Sequence, residues 1–176
     1  KAILWDTTGQ TIHSFMHEKA VNSVAFSPDG QTILTSCADR TAKIWNRSGV
    51  RLLTFYGHDG EVREAVFSPD GKYILTGSLD KKAKIWSVDG EEIVSLVGHL
   101  DKIEAVAWSP DGQYVATGGW DFTGKLWNVA LNLKDIKNQH SSDIKSVAIS
   151  PDGRRILTGS GDFSAKIWNE KGEFLQ

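Results

Sequence analysis

Short stretches in which apolar and polar residues alternate recur along the whole chain, and they predict β-strands rather than helices. Two such stretches are Val24–Phe26 and Ile33–Thr35, which flank the sequence Ser-Pro-Asp-Gly. This sequence predicts a tight turn, because its Pro fixes φ and its Gly can adopt positive φ. Two further stretches follow at Ala42–Trp45 and Leu52–Phe55. The pattern therefore predicts an all-β chain.

The four-strand pattern repeats at a step of 41 residues. The Ser-Pro-Asp-Gly turn begins at Ser27, Ser68, Ser109 and Ser150. Four other residue types keep the same step: His17, His58, His99 and His140; Thr35, Thr76, Thr117 and Thr158; Asp39, Asp80, Asp121 and Asp162; Trp45, Trp86, Trp127 and Trp168. The step falls within the roughly 40–45 residues of a four-stranded propeller blade. We therefore predict a β-propeller built from four-stranded antiparallel blades.

The repeats divide one domain, residues 1–176, into four full blades and part of a fifth. The predicted repeats are 16–56, 57–97, 98–138 and 139–176, and residues 1–15 supply only the third and fourth strands of a preceding blade. The fourth strand is the weakest, and we expect it within 131–136 in the third repeat and near Glu173–Leu175 in the last.

Both ends of the chain fall inside blades, so we expect a segment of a larger ring. The alternative is a homodimer whose two halves form one eight-bladed ring. An open segment would expose apolar blade faces and unpaired strand edges, which favours self-association.

The recurring His, Thr, Asp and Trp resemble the members of a catalytic triad, yet their number favours a structural role. We expect Thr35 to lie opposite Trp45 in a hairpin, where its hydroxyl can accept the indole N–H. The same hydroxyl can donate to His17, and the other ring nitrogen of His17 can donate to Asp39. A catalytic site is needed once, whereas this set occurs four times and lacks a strong nucleophile. We therefore predict four structural networks and no enzyme activity.

Composition narrows the candidate functions. Lys and Arg total 20 and Asp and Glu total 22, a net charge of -2 that gives no bulk attraction to nucleic acid or to a membrane. No apolar run approaches the ~18–20 residues that cross a bilayer, and no secretory signal is visible, so we expect a cytoplasmic protein. The sequence has one cysteine, Cys37, which aligns with small residues in the other repeats. We expect it to be a small buried side chain that fills space in the core. The histidines lie in different blades and cannot share a metal ion, and no cofactor is expected.

The spacing of His, Thr, Asp and Trp resembles the WD-repeat (WD40) β-propeller family over essentially the whole chain. Trp5-Asp6 is the dipeptide that gives the family its name, and Gly57-His58 and Gly98-His99 match its Gly-His pair. The chain departs from the pattern at Met16-His17 and Gln139-His140. The resemblance implies the hydrogen-bond networks described above. It also implies a partner-binding rim, made by the loops before the first strand and between the second and third strands.

The resemblance places partner-binding positions on both sides of the first apolar residue after the His, and directly before the periodic Asp. These positions differ in charge and size between repeats, as a non-symmetric partner requires. The predicted set is Asn22, Glu61, Arg63, Leu79, Lys102, Glu104, Trp120, Asp143 and Lys145, joined by the next hairpin positions Phe122 and Phe163. Trp120, Phe122 and Phe163 would form an apolar patch for a partner. In the alternative, Trp120 packs on its own hairpin or on the next blade.

These observations predict a non-catalytic scaffold that presents its rim to another protein or domain. The alternative is the sensor domain of a larger prokaryotic signalling ATPase or kinase, whose regular repeats these resemble. An enzyme built at the propeller axis has no nucleophile, metal cluster or cofactor loop in its favour. The overall acidity argues against nucleic-acid binding.

Overall fold

A computed structural model describes residues 1–129, 134–135, 140–169 and 173–176, and its regular structure consists of β-strands. The strands are β1 (Ala2–Trp5), β2 (Thr11–Phe15), β3 (Val21–Phe26), β4 (Thr32–Cys37), β5 (Ala42–Asn46), β6 (Arg51–Phe55), β7 (Val62–Phe67), β8 (Tyr73–Ser78), β9 (Lys82–Ser87), β10 (Glu92–Val97), β11 (Ile103–Trp108), β12 (Tyr114–Gly119), β13 (Gly124–Asn128), β14 (Lys134–Asp135), β15 (Ile144–Ile149), β16 (Arg155–Ser160) and β17 (Ala165–Asn169). Within these ranges, no helix is long and apolar enough to span a membrane.

The strands form a series of antiparallel sheets in the order of the sequence. Blade 1 contains β3–β6, blade 2 contains β7–β10, blade 3 contains β11–β14 and blade 4 contains β15–β17, while β1 and β2 form a two-stranded sheet before them. The four-stranded antiparallel blades predicted from the repeat are therefore present in blades 1 to 3. The first strands of neighbouring blades contact each other, so each blade follows the previous one side by side.

The fourth strand, the weakest in the sequence pattern, is regular in blades 1 and 2, with five residues in β6 and six in β10, and is reduced in what is described of blades 3 and 4. In blade 3 the fourth strand is β14, and the other residues of the predicted stretch 131–136 lie outside the described ranges. In blade 4, Trp168 forms a β-bridge with Phe174, and the N–H of Leu175 donates to the carbonyl of Ile167 at 2.8 Å. The last residues of the chain therefore pair with the third strand of blade 4.

The apolar core lies between consecutive blades. One cluster joins Leu34 and Ile44 of blade 1 to Ile74 and Trp86 of blade 2. Another joins residues of blades 2 and 3 in the same way, among them Leu75, Ile85, Val106 and Trp127. Burial of each large side chain contributes roughly 1.5–3 kcal/mol, so contact between blades supplies much of the stability.

The two end faces of the series lack full cover: Leu4 and Phe15 of the β1–β2 sheet pack on Ile33 and Trp45 of blade 1, and among the described residues no blade lies beyond blade 4. Val24 of blade 1 is 60% exposed, whereas Ala65 at the same repeat position is 1% exposed because blade 1 packs on it. Leu157 of blade 4 is 46% exposed, whereas its counterpart Leu34 is fully buried against blade 2. Both end faces therefore present the kind of surface that another blade covers elsewhere in the chain.

Candidate interaction rim

The recurring polar residues form one hydrogen-bonded chain in each of blades 2 to 4. In blade 2, the Trp86 indole N–H donates to Thr76 Oγ1 at 2.9 Å, the Thr76 hydroxyl donates to His58 Nε2 at 2.8 Å, and His58 Nδ1 donates to Asp80 at 2.7 Å. The matching atoms lie 2.7–2.9 Å apart in blade 3 and 2.8–2.9 Å apart in blade 4. Each of these hydrogen-bonded chains links the third strand of its blade to the second strand, the entering loop and the hairpin tip.

The carboxylates of these chains are held in the ionised form. Burial alone would raise the pKa of Asp121, but hydrogen bonds from His99 and Thr123 outweigh it and hold that pKa well below its usual range. The backbone N–H of Leu100 also donates to Asp121 at 2.8 Å. The Thr117 oxygen, which would have to act as the nucleophile, is fully buried and already bonded to His99 and Trp127. The geometry therefore suits a structural link between loop and hairpin.

The predicted network is wrong for blade 1. His17 Nε2 lies 2.8 Å from the Thr35 hydroxyl, but His17 Nδ1 donates to the carbonyl of Phe15 at 3.1 Å instead of reaching Asp39. Asp39 accepts hydrogen bonds from Thr41 and Lys43. Burial opposes ionisation of Asp39, yet these hydrogen bonds outweigh it and lower the pKa of Asp39 to about 2.

The partner of one lysine explains this difference. In blade 2, Lys84 donates to Glu92 on the neighbouring fourth strand at 2.7 Å. Blade 1 carries Arg51 where blade 2 carries Glu92, so Lys43 finds no carboxylate on its fourth strand. Lys43 is buried, and a buried ammonium needs a partner of opposite charge. Its Nζ therefore donates to Asp39, and His17 Nδ1 bonds to the Phe15 carbonyl instead.

The expected position of Thr35 in the hairpin is also corrected. Thr35 pairs with Lys43, and Trp45 pairs with Ile33. The Trp45 indole nevertheless reaches Thr35 Oγ1 diagonally across the two strands, at 2.9 Å. The hydrogen bond inferred from the chemistry of the two side chains is therefore present although the strand register differs.

A β-bulge in the first strand of every blade presents one of the predicted partner-binding residues. In blade 2 the pairing passes from Val62–Ser78 directly to Glu64–Gly77, which leaves Arg63 as the extra residue. The corresponding extra residues are Asn22, Glu104 and Lys145. A bulge re-aims a side chain and ends regular pairing. Sequence reasoning missed the bulges, because it began the first strand only at Val24 in blade 1 and assigned the preceding residues to the entering loop.

Residues of blades 2, 3 and 4 meet at Trp120. The guanidinium of Arg63 makes a two-point ion pair with Glu104, and the Trp120 indole N–H donates to the same carboxylate at 3.0 Å. The Nζ atoms of Lys102 and Lys145 lie 4.4 Å and 4.9 Å from the centroid of the Trp120 ring. We call these five residues the rim cluster. They join three blades through ionic, hydrogen-bond and cation–π contacts.

The rim cluster shows what the Trp120 side chain contacts within the chain. The ring is partly exposed, and it contacts Lys102 of its own blade and Lys145 of the next. Phe122 and Phe163 have no ring contact with Trp120 among the described residues. Trp120 therefore packs on its own blade and the next, while partner binding through its exposed part stays a prediction.

The other predicted rim residues have separate roles. Asn22 donates to the carbonyl of Val62 at 2.9 Å and so bridges blades 1 and 2. The N–H of Leu79 donates to the carbonyl of Glu61 at 3.0 Å, which ties the hairpin tip to the loop before the first strand. Asp143 pairs with Lys145 at 2.8 Å. Phe122 and Phe163 are exposed at hairpin tips.

Groups that could support other chemistry are few. Cys37 is a buried free thiol, and burial raises its pKa, which makes it a poor nucleophile. Within the described ranges, no group of three or more His, Cys, Asp or Glu side chains is arranged to hold a metal ion.

Comparison with known proteins identifies the repeats. A family model described as "WD domain, G-beta repeat" matches residues 9–46, 49–87, 90–128 and 133–169. A curated relative, the periodic tryptophan protein 2 homolog of Dictyostelium discoideum, is 41% identical over 59 residues, which are 32% of this chain and 6% of that protein. The chain thus matches only a small part of the length of that relative.

Proposed function

Because this chain belongs to the WD40 repeat family, we propose that it is a non-catalytic scaffold whose rim cluster and hairpin tips bind another protein or domain. WD40 repeats typically serve in protein–protein interaction. The observation that carries the proposal here is the rim cluster, which brings Arg63, Glu104 and Trp120 together across two blades and leaves the indole partly exposed. Trp and Arg are enriched among residues that dominate binding energy.

The mechanism we propose is rigid presentation. The buried His–Thr–Asp–Trp chains hold the loops and hairpins of blades 2 to 4, so the rim residues lose little conformational freedom when a partner binds. The rim residues themselves vary from blade to blade: the bulge position carries Asn22, Arg63, Glu104 and Lys145 in turn. This variation suits a partner without repeat symmetry.

We also propose that a further blade covers each end face, supplied by a longer chain or by a second copy. The exposure of Val24 and Leu157, whose counterparts are buried between blades, supports this proposal. A cytoplasmic location remains part of the proposal. The comparisons give no support to the alternative of a prokaryotic signalling sensor.

The test is quantitative affinity capture with the purified chain and its Trp120→Ala variant. Lys72→Ala provides a matched control, since Lys72 is an exposed turn residue that, among the described residues, makes one long ion-pair contact, with Asp70 at 3.8 Å. We expect Trp120→Ala to weaken capture of specific partners by roughly 30-fold, as for a hot spot worth about 2 kcal/mol. The variant should stay folded with a modestly lower melting temperature, because the indole also contacts Glu104, Lys102 and Lys145. Equal capture by the wild type and Trp120→Ala would contradict the proposal.

A further inference from the structure

The residue after the periodic Asp adopts a left-handed backbone conformation in every blade. These residues are Arg40, Lys81, Phe122 and Phe163, with φ of 74°, 72°, 64° and 65°. Gly, Asn and Asp tolerate this region best, and a bulky side chain there is unfavourable. Phe122 and Phe163 are nevertheless aromatic and exposed. The conformation recurs in all four blades, so the hairpin sets it, and the unusual feature of blades 3 and 4 is an exposed aromatic side chain at this position.

The exposure of Phe122 indicates a binding surface more strongly than the exposure of Phe163 does. The tip of one blade lies beside the loop of the next, as Lys81 Nζ shows by donating to the carbonyl of Leu100 at 3.0 Å. Phe163 has no following blade beside it, which contributes to its full exposure. Phe122 has blade 4 beside it and is still 44% exposed.

A second exposed apolar residue is held at the same end of blade 3. The N–H of Leu100 donates to Asp121, the residue before Phe122, and the Leu100 side chain is 81% exposed. The other repeats carry Glu18, Asp59 and Ser141 at this position. Exposed apolar residues at both the loop and the tip are therefore a property of blade 3.

The apolar residues of blade 3 lie on a rim that also carries cations. Lys102 Nζ rests over the Trp120 ring, and within the described part of the chain no carboxylate lies within ion-pair distance of it. The nearby carboxylate of Glu104 is already engaged by Arg63 and Trp120. An added carboxylate would therefore find an available ammonium at Lys102.

We propose that Leu100, Lys102, Trp120 and Phe122, which we call the blade 3 tip surface, bind a partner segment in which apolar and acidic side chains alternate. The apolar side chains of the segment would cover Leu100 and Phe122, and a carboxylate would accept hydrogen bonds from Lys102. A basic segment would meet Lys102 and Lys145, and a purely polar segment would leave the apolar residues uncovered. This inference rests on the proposed function and names the chemistry of the partner.

The first experiment measures binding of three labelled synthetic peptides to the full chain by fluorescence anisotropy. The peptides carry Phe and Glu, Phe and Lys, or Ser and Glu, at the same positions between Gly spacers. We expect the Phe/Glu peptide to bind at least about 10-fold more tightly than the other two, because each of them lacks one of the complementary groups. Lys102→Glu should reverse the preference towards the Phe/Lys peptide. Equal binding of the three peptides, or no binding, would overturn the inference.

The second experiment separates binding from folding. Asn tolerates the left-handed region, so Phe122→Asn should raise the melting temperature while it weakens binding of the Phe/Glu peptide by about 10-fold. Arg40→Asn, at the same tip position in blade 1, should also raise the melting temperature but leave binding unchanged. A Phe122→Asn variant that is less stable and binds the peptide normally would overturn the inference. Loss of capture by Trp120→Ala without any peptide binding would overturn it and leave the proposed function standing.

Discussion

At the scale of single residues, the carboxylate at the hairpin tip completes the network in each of blades 2 to 4. Asp80 accepts hydrogen bonds from His58 and from the backbone N–H of Asp59 and Lys82. We expect Asp80→Ala to lower the free energy of unfolding by about 2–3 kcal/mol, because it leaves a buried His58 donor without an acceptor. Urea denaturation measures this change. Asp89→Ala, in an exposed turn, is the control, and an unchanged midpoint for Asp80→Ala would contradict the network.

The same carboxylates set the response of stability to pH. The folded pKa of Asp121 lies below the unfolded value of about 3.9, so the unfolded chain binds more protons between the two values. The stability due to Asp121 is therefore present above that unfolded pKa and is lost as the pH falls through the folded pKa. We expect Asp121→Asn to be less stable at neutral pH and to lose less stability on acidification below about pH 4. Thermal unfolding at a series of pH values tests this, and parallel curves for the two proteins would disprove it.

The altered network of blade 1 gives a prediction that should increase stability. Arg51→Glu would give Lys43 the fourth-strand carboxylate that Lys84 has in Glu92, and would release Asp39 for His17. We expect a gain of about 1 kcal/mol in the free energy of unfolding, the usual size of one added hydrogen bond, and a direct His17–Asp39 hydrogen bond by NMR. Arg51→Gln removes the positive charge without adding a carboxylate and should not restore the bond. A His17 ring signal that stays unchanged in Arg51→Glu would refute this explanation.

At the scale of strands, close contact between blades depends on small residues in the second strand. A Cβ added at Gly118 of blade 3 would lie 2.4 Å from Ile144 Cγ2 and 2.9 Å from Val147 Cγ1 of blade 4. We expect Gly118→Ala to cost about 1–3 kcal/mol, because overpacking forces the two blades apart. Gly159→Ala is the matched control: it occupies the same position in blade 4, where the nearest atom is Ser146 Cβ at 3.9 Å. Equal midpoints of urea denaturation for the two variants would show that this contact does not limit blade packing.

The strands could be predicted from the sequence, whereas their register and bulges could not. Pairing of Thr35 with Lys43 centres the hairpin on Asp39, while the expected pairing with Trp45 centres it one residue later. A shift of one residue in the turn moves the partner by two, and residue types alone do not fix the turn. The bulge at Arg63 could not be predicted either, because the apolar pattern starts two residues later and assigns Arg63 to the loop before the first strand. Contacts between blades, such as that of Arg63 with Glu104, therefore could not be derived from the repeat.

At the scale of the whole molecule, the repeat of 41 residues is sufficient to predict a series of blades but not what covers its ends. Each internal blade has apolar neighbours on both faces, as the clusters on either side of blade 2 show. The outer face of blade 4 presents Leu157 to solvent, and the outer face of blade 1 presents Val24 and Phe26. The periodic residues are the same at internal and end blades, so they do not indicate which blade faces are covered and which are exposed.

The exposed end faces predict that the isolated chain self-associates. Apolar side chains that contact a neighbouring blade elsewhere gain about 25 cal/mol per Å² when they are covered, so two end faces should bind each other at high concentration. In light scattering coupled to size exclusion, we expect the apparent mass to rise above 19.4 kDa with concentration.

Leu157→Lys should suppress this rise, because association would bury an unpaired charge. Ile93→Lys is the control, since Ile93 is an exposed apolar residue on the fourth strand of blade 2, away from both end faces. A mass that stays monomeric at every concentration would mean that the end faces do not attract each other, and an equal effect of both substitutions would place the contact outside the end faces.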